Sequence, residues 1–209
     1  MTATEIYDEV EYISSTSGGG QYIRLNKVTP LWRYNSRNVN FDVEAKFKQD
    51  SLGIVISAAA SGDARNYFGI EVGSDSYNHV GIYSNSSFGY ERDVLGNFGE
   101  IITLNHLKNT ESYRVCATST YPGSSNDNYT YPLVLFARST DTLTAYCVAT
   151  LYYIKVWWPQ GTLVYDCIPA KSSSGSVGLY NKVDGTFLTS LQNAFVAGPT
   201  VVITPVEPE

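Results

Sequence analysis

Charge is scarce in this chain of 209 residues: Asp, Glu, Lys and Arg together make 16%, and the 20 acidic side chains outnumber the 14 basic ones for a net charge of −6. Phosphate binding needs lysines and arginines that neutralise a backbone, and no basic cluster occurs, so DNA and RNA are not expected as partners. Histidine is almost missing. His79 and His106, with three scattered cysteines at 116, 147 and 167, make no recognisable zinc site. Those cysteines, Cys116, Cys147 and Cys167, are odd in number, sit within strand-like runs and form no Cys-x-x-Cys pair, so they read as small buried hydrophobes, and no disulfide is implied. There is no glycine-rich phosphate loop and no nucleophile elbow. Residues 1–13 lack the basic start and apolar middle of a secretory signal, and no run approaches the roughly 18 apolar residues of a membrane helix. The expectation is a protein made in a cytosol, without membrane insertion. Heptads, repeats and helical periods beyond a turn or two are missing as well.

What is present is tyrosine and glycine, 17 of each, in a composition that is 43% hydrophobic. That mixture suits sheets and turns, and the length suffices for one β-sandwich core. The plainest run is 152–158, β-branched or aromatic almost throughout, broken at Pro159-Gln160-Gly161 and followed by a second strand over 162–168 that should end at Pro169. The polar stretch 171–176 reads as a loop. Strands over 177–183 and 186–191 are then joined by Asp184-Gly185, the pair that best tolerates the positive φ angles of a type I′ turn.

Upstream, 6–13 and 21–26 read as the first two strands, pairing with each other near the edge where the chain ends meet. Residues 41–47 alternate with period two, which puts Phe41, Val43, Ala45 and Phe47 on one face and Asp42, Glu44 and Lys46 on the other. Further strands are expected over 52–60, 67–72, 79–83, 101–104, 111–118 and 133–138. The predicted core comprises Phe41, Val43, Phe47, Val55, Ile70, Val115, Leu135, Ile154, Val156 and Val164. About a dozen short strands separated by turns indicate an all-β fold, a two-sheet antiparallel jelly-roll sandwich. Residues 1–199 form its single domain and 200–209 an edge strand and C-terminal tail.

The phrases LYYIKVW (151–157), GTLVYDCIPA (161–170), VGLYNKVDGTF (177–187) and FVAGP (195–199) add a further line of argument. In this order and spacing they resemble the C-terminal half of the laminin-G-like, concanavalin-A-like jelly-roll domains of tail and surface proteins of phages and prophages of gut bacteria. The opening YDEVEYISSTSGGGQYIRLN (7–26) is similar to the start of the same domains. Such domains often have arginine before the aspartate of the GTLV phrase, whereas Tyr165 stands here. The resemblance implies a virion component, capsid decoration or tail protein, with virion structural proteins as partners. It leaves surface glycans and homo-oligomerisation open, and it implies no cofactor.

The same fold includes glycoside hydrolases, which need two carboxylates about 5–5.5 Å apart in a retaining enzyme. Glu9 with Glu11, and Asp42 with Glu44, each place two carboxylates on one strand face, but neither pair matches the Glu-x-Asp-x-x-Glu pattern of glucanases. Both read as solvated faces, so the chain is expected to be no enzyme. Polar clusters at 125–128 and 74–76 read as turns before calcium ligands. Sugar recognition uses aromatic rings with amides and carboxylates, and Tyr121, Asn126, Asp127, Tyr129 and Tyr131 bring these together in one stretch. Trp32 and its neighbours do so in another. Trp157 and Trp158 must point to opposite sheet faces, and Trp158 joins the candidate binding or interface residues.

Overall fold

The computed structural model describes residues 7–28, 32–33, 38–39, 41–59, 67–72, 77–83, 91–107, 132–138, 146–158 and 161–202, giving backbone alone at 32–33, 38–39, 58–59, 67–69, 71–72, 77–83, 91–96 and 105–107. Among these residues every regular element is a strand. In chain order they are β1 (Tyr7–Glu9), β2 (Ile13–Ser14), β3 (Ile23–Leu25), β4 (Trp32–Arg33), β5 (Asn38–Val39), β6 (Asp42–Gln49), β7 (Gly53–Ala59), β8 (Tyr67–Val72) and β9 (Tyr77–Tyr83). There follow β10 (Glu91–Asn97), β11 (Ile101–Leu107), β12 (Leu133–Leu135), β13 (Ala149–Trp157), β14 (Leu163–Ser172), β15 (Val177–Asn181), β16 (Phe187–Thr189) and β17 (Val196–Ala197).

Nine of them form one sheet along the path β11-β6-β13-β14-β15-β16, with β1 against β14 and β2 held between β13 and β17. Six form a second sheet in the order β10-β9-β8-β7-β12-β3, while β4 and β5 pair as a small ribbon. All pairings are antiparallel. The two ends of the chain meet in the larger sheet: Val10 bridges Thr200, and Glu11 N–H donates to Pro199 O at 2.8 Å.

Alternation places the core. Val43, Ala45 and Phe47 of β6 are fully buried, and the ladder sets Val156 opposite Val43 and Ile154 opposite Ala45. Tyr165 and Cys167 continue that face on β14, paired with Val156 and Ile154. From the smaller sheet come Ile23, Leu25, Ile56, Ile70, Leu133 and Leu135, and all of these side chains belong to one cluster. The protein is thus all-β, with antiparallel sheets sharing a core in the manner of a β-sandwich. Of the predicted core residues, Phe41, Val43, Phe47, Val55, Ile70, Leu135, Ile154 and Val156 are buried, and Val115 lies outside the described residues. Val164 is only half-buried, packed at the margin, because the register gives the inward positions of β14 to its odd-numbered neighbours.

Four local expectations are corrected. First, β14 does not stop at Pro169 but runs on to Ser172. A residue's N and C=O point to the same side of a strand, and Pro169 O accepts from Val10 N–H at 3.1 Å, so its missing N–H faces away from β15 and that ladder is undisturbed. The β14–β15 loop is correspondingly short, closed by Ser172 N–H donating to Ser176 O at 2.9 Å.

Second, the next hairpin is closed around four residues, 182–185: Asn181 N–H donates to Thr186 O at 2.9 Å and Gly185 N–H to Asn181 O at 2.8 Å. Only Gly185, at φ 74°, takes the left-handed conformation, whereas a two-residue type I′ turn would require it at Asp184 too. Third, β2 and β3 do not pair, since the chain crosses from one sheet to the other between them. Gln21 secures that crossing by donating from Nε2 to Thr16 Oγ1 (2.8 Å) and to Ala194 O (3.0 Å). Fourth, the strand from Leu133 ends at Leu135, because Phe136 turns to φ 67° and sends its ring against Phe195 at 4.9 Å.

Candidate functional site

A cleft of about 470 Å³ opens where the larger sheet joins the two chain ends, lined by Tyr7, Asp8, Glu9, Ile168, Ala170, Tyr180, Thr200 and Val201. It arises because β13 and β14 diverge. They pair only from Ile154 to Trp157, and the N-terminal segment enters the gap, β2 against Leu151 and β1 against Ala170 to Ser172. Glu9 O accepts from Val201 N–H at 2.9 Å, which brings the C-terminal segment alongside as the far wall.

Its aromatic wall is held in place. The Tyr7 ring lies 4.6 Å from Phe187 and 5.1 Å from Tyr180, tilted 30° and 35° to them, so three rings from β1, β15 and β16 form one packed group. Ala170 and Ile168 provide an apolar floor between this wall and Thr200. The carboxylates of Asp8 and Glu9 are exposed, and among the described residues neither is ion-paired. Lys171 is the cross-strand neighbour of Asp8, yet it is not a lining residue. Strand alternation puts Glu9 on the face of Tyr7, Ala170 and Tyr180 and turns Asp8 to the other face beside Lys171, so the cleft offers an aromatic group, an apolar floor and one carboxylate, which suit a small polar ligand with an apolar side, and the size lies in the usual pocket range of roughly 300–1,000 Å³.

The hairpin bearing Tyr180 and Phe187 is braced from beneath. Asn181, fully buried, donates from Nδ2 to Asp184 Oδ1 at 2.8 Å and accepts the Asp166 N–H on Oδ1 at 2.9 Å. Asp184 Oδ1 also accepts from Thr186 N–H (3.1 Å) and Thr186 Oγ1 (2.7 Å), while its other oxygen takes the ammonium of Lys27. The Lys27 hydrogen bond leads the effects that hold the Asp184 carboxyl at about 2, below its ordinary 3.8. Lys27 N–H in turn donates to the buried Tyr165 hydroxyl at 3.0 Å, whose acidity burial weakens. Tyr165 therefore serves as an inward acceptor for the turn after β3.

The site residues expected from sequence are not gathered here. Tyr121, Asn126, Asp127, Tyr129 and Tyr131 lie outside the described residues, as do the polar clusters at 74–76 and 125–128. Trp32 belongs to β4, where the backbone alone is described. Of the adjacent tryptophans, Trp158 is the one against the core, half-buried, and its buried indole N–H meets no acceptor among the described residues. The carboxylate pair on β6 is not a solvated face. Asp42 is only 6% exposed, opposite the large Trp157 side chain, and Glu44 lies 3.4 Å from Lys155. No group of three potential metal ligands occurs among the described residues.

Sequence reasoning weighed Glu9 only as a partner for Glu11 and read Tyr7 and Tyr180 only as strand residues. The lining residues come from opposite ends of the chain, and no spacing within either end marks them. Comparison of the chain with family models, with curated proteins and with solved structures finds no match.

Proposed function

We propose that this chain is a non-catalytic, lectin-like surface protein of a phage or prophage virion, a jelly-roll of concanavalin-A-like kind that adheres to glycans of the host or its surroundings. The observation that carries the adhesion reading is the cleft: a fixed aromatic wall beside the Glu9 carboxylate, which has no ion pair among the described residues, is the chemistry that holds a sugar ring by apolar contact and by hydrogen bonds to its hydroxyls. Support for the virion context comes from the resembling phrases. Apart from β3, which lies in the smaller sheet, the strands they contain adjoin in one sheet, β1, β2, β13, β14, β15, β16 and β17. The test is retention of the purified protein on a glycan array or affinity gel, beside a sizing measurement. Retention that Tyr180→Ala removes supports adhesion through the cleft. Retention lost instead in a Tyr129→Ala/Asp127→Ala variant moves the site to the 121–131 stretch, and no retention at all sinks adhesion.

A second reading, a purely structural decoration or attachment protein, is favoured by exposed apolar side chains at one end of the fold. Leu52 is 65% exposed in the turn between β6 and β7, and Phe98 (39%) and Ile101 (51%) flank the turn between β10 and β11, which is tied to β6 by Gly99 N–H donating to Gln49 O. Clustered exposed apolar groups mark protein contacts. Failure of a Leu52→Ser/Ile101→Ser variant to enter particles, with no glycan bound by the wild type, is the outcome this reading expects.

A further inference from the structure

We infer that the strand unit 7–14 is exchanged between two copies of this chain, each copy seating it in the other's larger sheet, so that every cleft is built from both. The unit is separable from what it packs on. β1 and β2 take all their ladder partners from residue 149 or later, namely Ala170 to Ser172, Thr150 and Leu151, and Val196 and Ala197, and Val10 between them bridges Thr200. The next strand, β3, already belongs to the smaller sheet. The unit is thus an insert in a slot built by the far end of the chain, and its backbone bonds are the same whichever copy donates it.

The slot must hold a strand. On one side Pro169 O accepts from Val10 N–H, and on the other Pro199 O accepts from Glu11 N–H while Gly198 N–H donates to Tyr12 O. Left empty, it would expose both of these edges and uncover the core at Val10 and Ile13, which are 2% and 0% exposed. Its shape fits this sequence in particular. The Tyr12 ring lies against Gly198, where a Cβ would come within 2.8 Å of it, and the Ser14 and Thr150 hydroxyls meet at 2.8 Å. The outside donor is therefore a second copy.

The connection allows the exchange. Residues 16–18 are exposed, Gly18 and Gly20 take φ of 71° and 61°, and the turn is closed by Gly19 N–H donating to Thr16 O at 3.0 Å. Straightening it breaks the Gln21 bonds to Thr16 and leaves the core cluster as it is. Residues 16–20 then reach roughly 16 Å, and exchange of an identical element is a low-cost route to a dimer. Tyr7 and Glu9 line the cleft, so each copy supplies both to its partner's cleft. This holds whatever the cleft binds.

The experiment mixes two full-length variants in a Cys116→Ser background, one Val10→Cys and one Thr200→Cys. They are refolded together under reducing conditions at several concentrations and then oxidised. Val10 and Thr200 are directly opposite, and such an antiparallel pair lies within disulfide range. In an unexchanged chain residue 10 is buried, so a disulfide between the two variants requires the strand of one in the slot of the other. The expected result is a covalent dimer on a denaturing gel, its share rising about tenfold for a tenfold rise in protein while it is the minor species. If cysteine at 10 prevents folding, Glu11→Cys mixed with Pro199→Cys, one step along the same ladder, reports the same exchange. Absence of a cross-chain disulfide at every concentration overturns the inference. It does so whether wild type is a monomer or a dimer by sizing, since copies that then associate meet elsewhere.

Discussion

The Lys27 ammonium donates to the Asp184 carboxylate, tying the turn after β3 in the smaller sheet to the β15–β16 loop of the larger one, 157 residues further along the chain. Because Asp184 also caps its own loop through Thr186 and is steadied by Asn181, the pair connects the two sheets through the hairpin that carries the cleft's Tyr180. Its protonation should therefore be felt in the stability of the fold.

The Asp184 carboxyl, at about 2 in the fold against an ordinary 3.8, is a depressed acid. Such a group contributes stability that is complete above its unfolded value and is lost as pH falls through its folded one. In thermal unfolding, wild type should exceed Asp184→Asn by a constant margin at neutral pH, and the margin should close as pH falls from 3.8 to about 2. A margin that does not change across that window would show that the carboxylate's charge contributes nothing. Added salt should narrow the margin at neutral pH, because both side chains are partly exposed.

Two glycines of the same hairpin should resist substitution for different reasons. A Cβ on Gly178 would overlap the Leu188 carbonyl oxygen on the neighbouring strand and approach the Phe187 ring at 3.2 Å. Gly178→Ala is expected to destabilise by about 1–3 kcal/mol through overpacking. Gly185 has room but sits at φ 74°, so Gly185→Ala should cost about 1–2 kcal/mol, and Gly185→Val no less. Chemical denaturation that ranks both variants with wild type would refute the hairpin geometry.

The two described cysteines should be inert in the native state. Cys147 donates from Sγ to Ile54 O at 3.2 Å, and burial pushes its thiol far up. Cys167 is raised to about 12 for the same reason. Thiolate is the reactive form, so in a Cys116→Ser background a thiol reagent at neutral pH should modify neither until denaturant unfolds the chain. Rapid labelling without denaturant would contradict the burial.

Phe47 tests the shared core. It is fully buried, between Leu151 and Ile102 in the ladder, and Phe47→Ala should lose about 3–5 kcal/mol. On the opposite face of the same strands, Lys155→Ala, which removes the 3.4 Å pair with Glu44, should change stability by no more than about 1 kcal/mol. Comparable losses from the two substitutions would invert the assignment of faces.

Much of this architecture was legible in local pattern. The period-two run at 41–47 identified the inward face of β6, the aromatic and β-branched run at 152–158 located β13, and the two described cysteines are buried, Cys167 within β14 and Cys147 just ahead of β13 rather than in a strand. These features are local because side-chain alternation and turn chemistry act over a few residues. The errors also had local origins. Proline marked an end of strand at 169 only because its side of the ladder was unknown, and Asp184-Gly185 suggested a two-residue turn because the hydrogen bonds of Asn181 were invisible.

Composition and periodicity by themselves determined that the chain would fold as sheet, with Phe41, Val43, Phe47, Val55, Ile70, Leu135, Ile154 and Val156 turned inward. Only the tertiary structure decided which strands became neighbours. It placed β1 in the gap between β13 and β14, laid the C-terminal segment beside it, and so brought Tyr7 and Glu9 to the face of Tyr180. Strand pairing across the length of a chain depends on the sum of many cross-strand contacts and backbone hydrogen bonds, and no stretch of sequence carries that sum on its own.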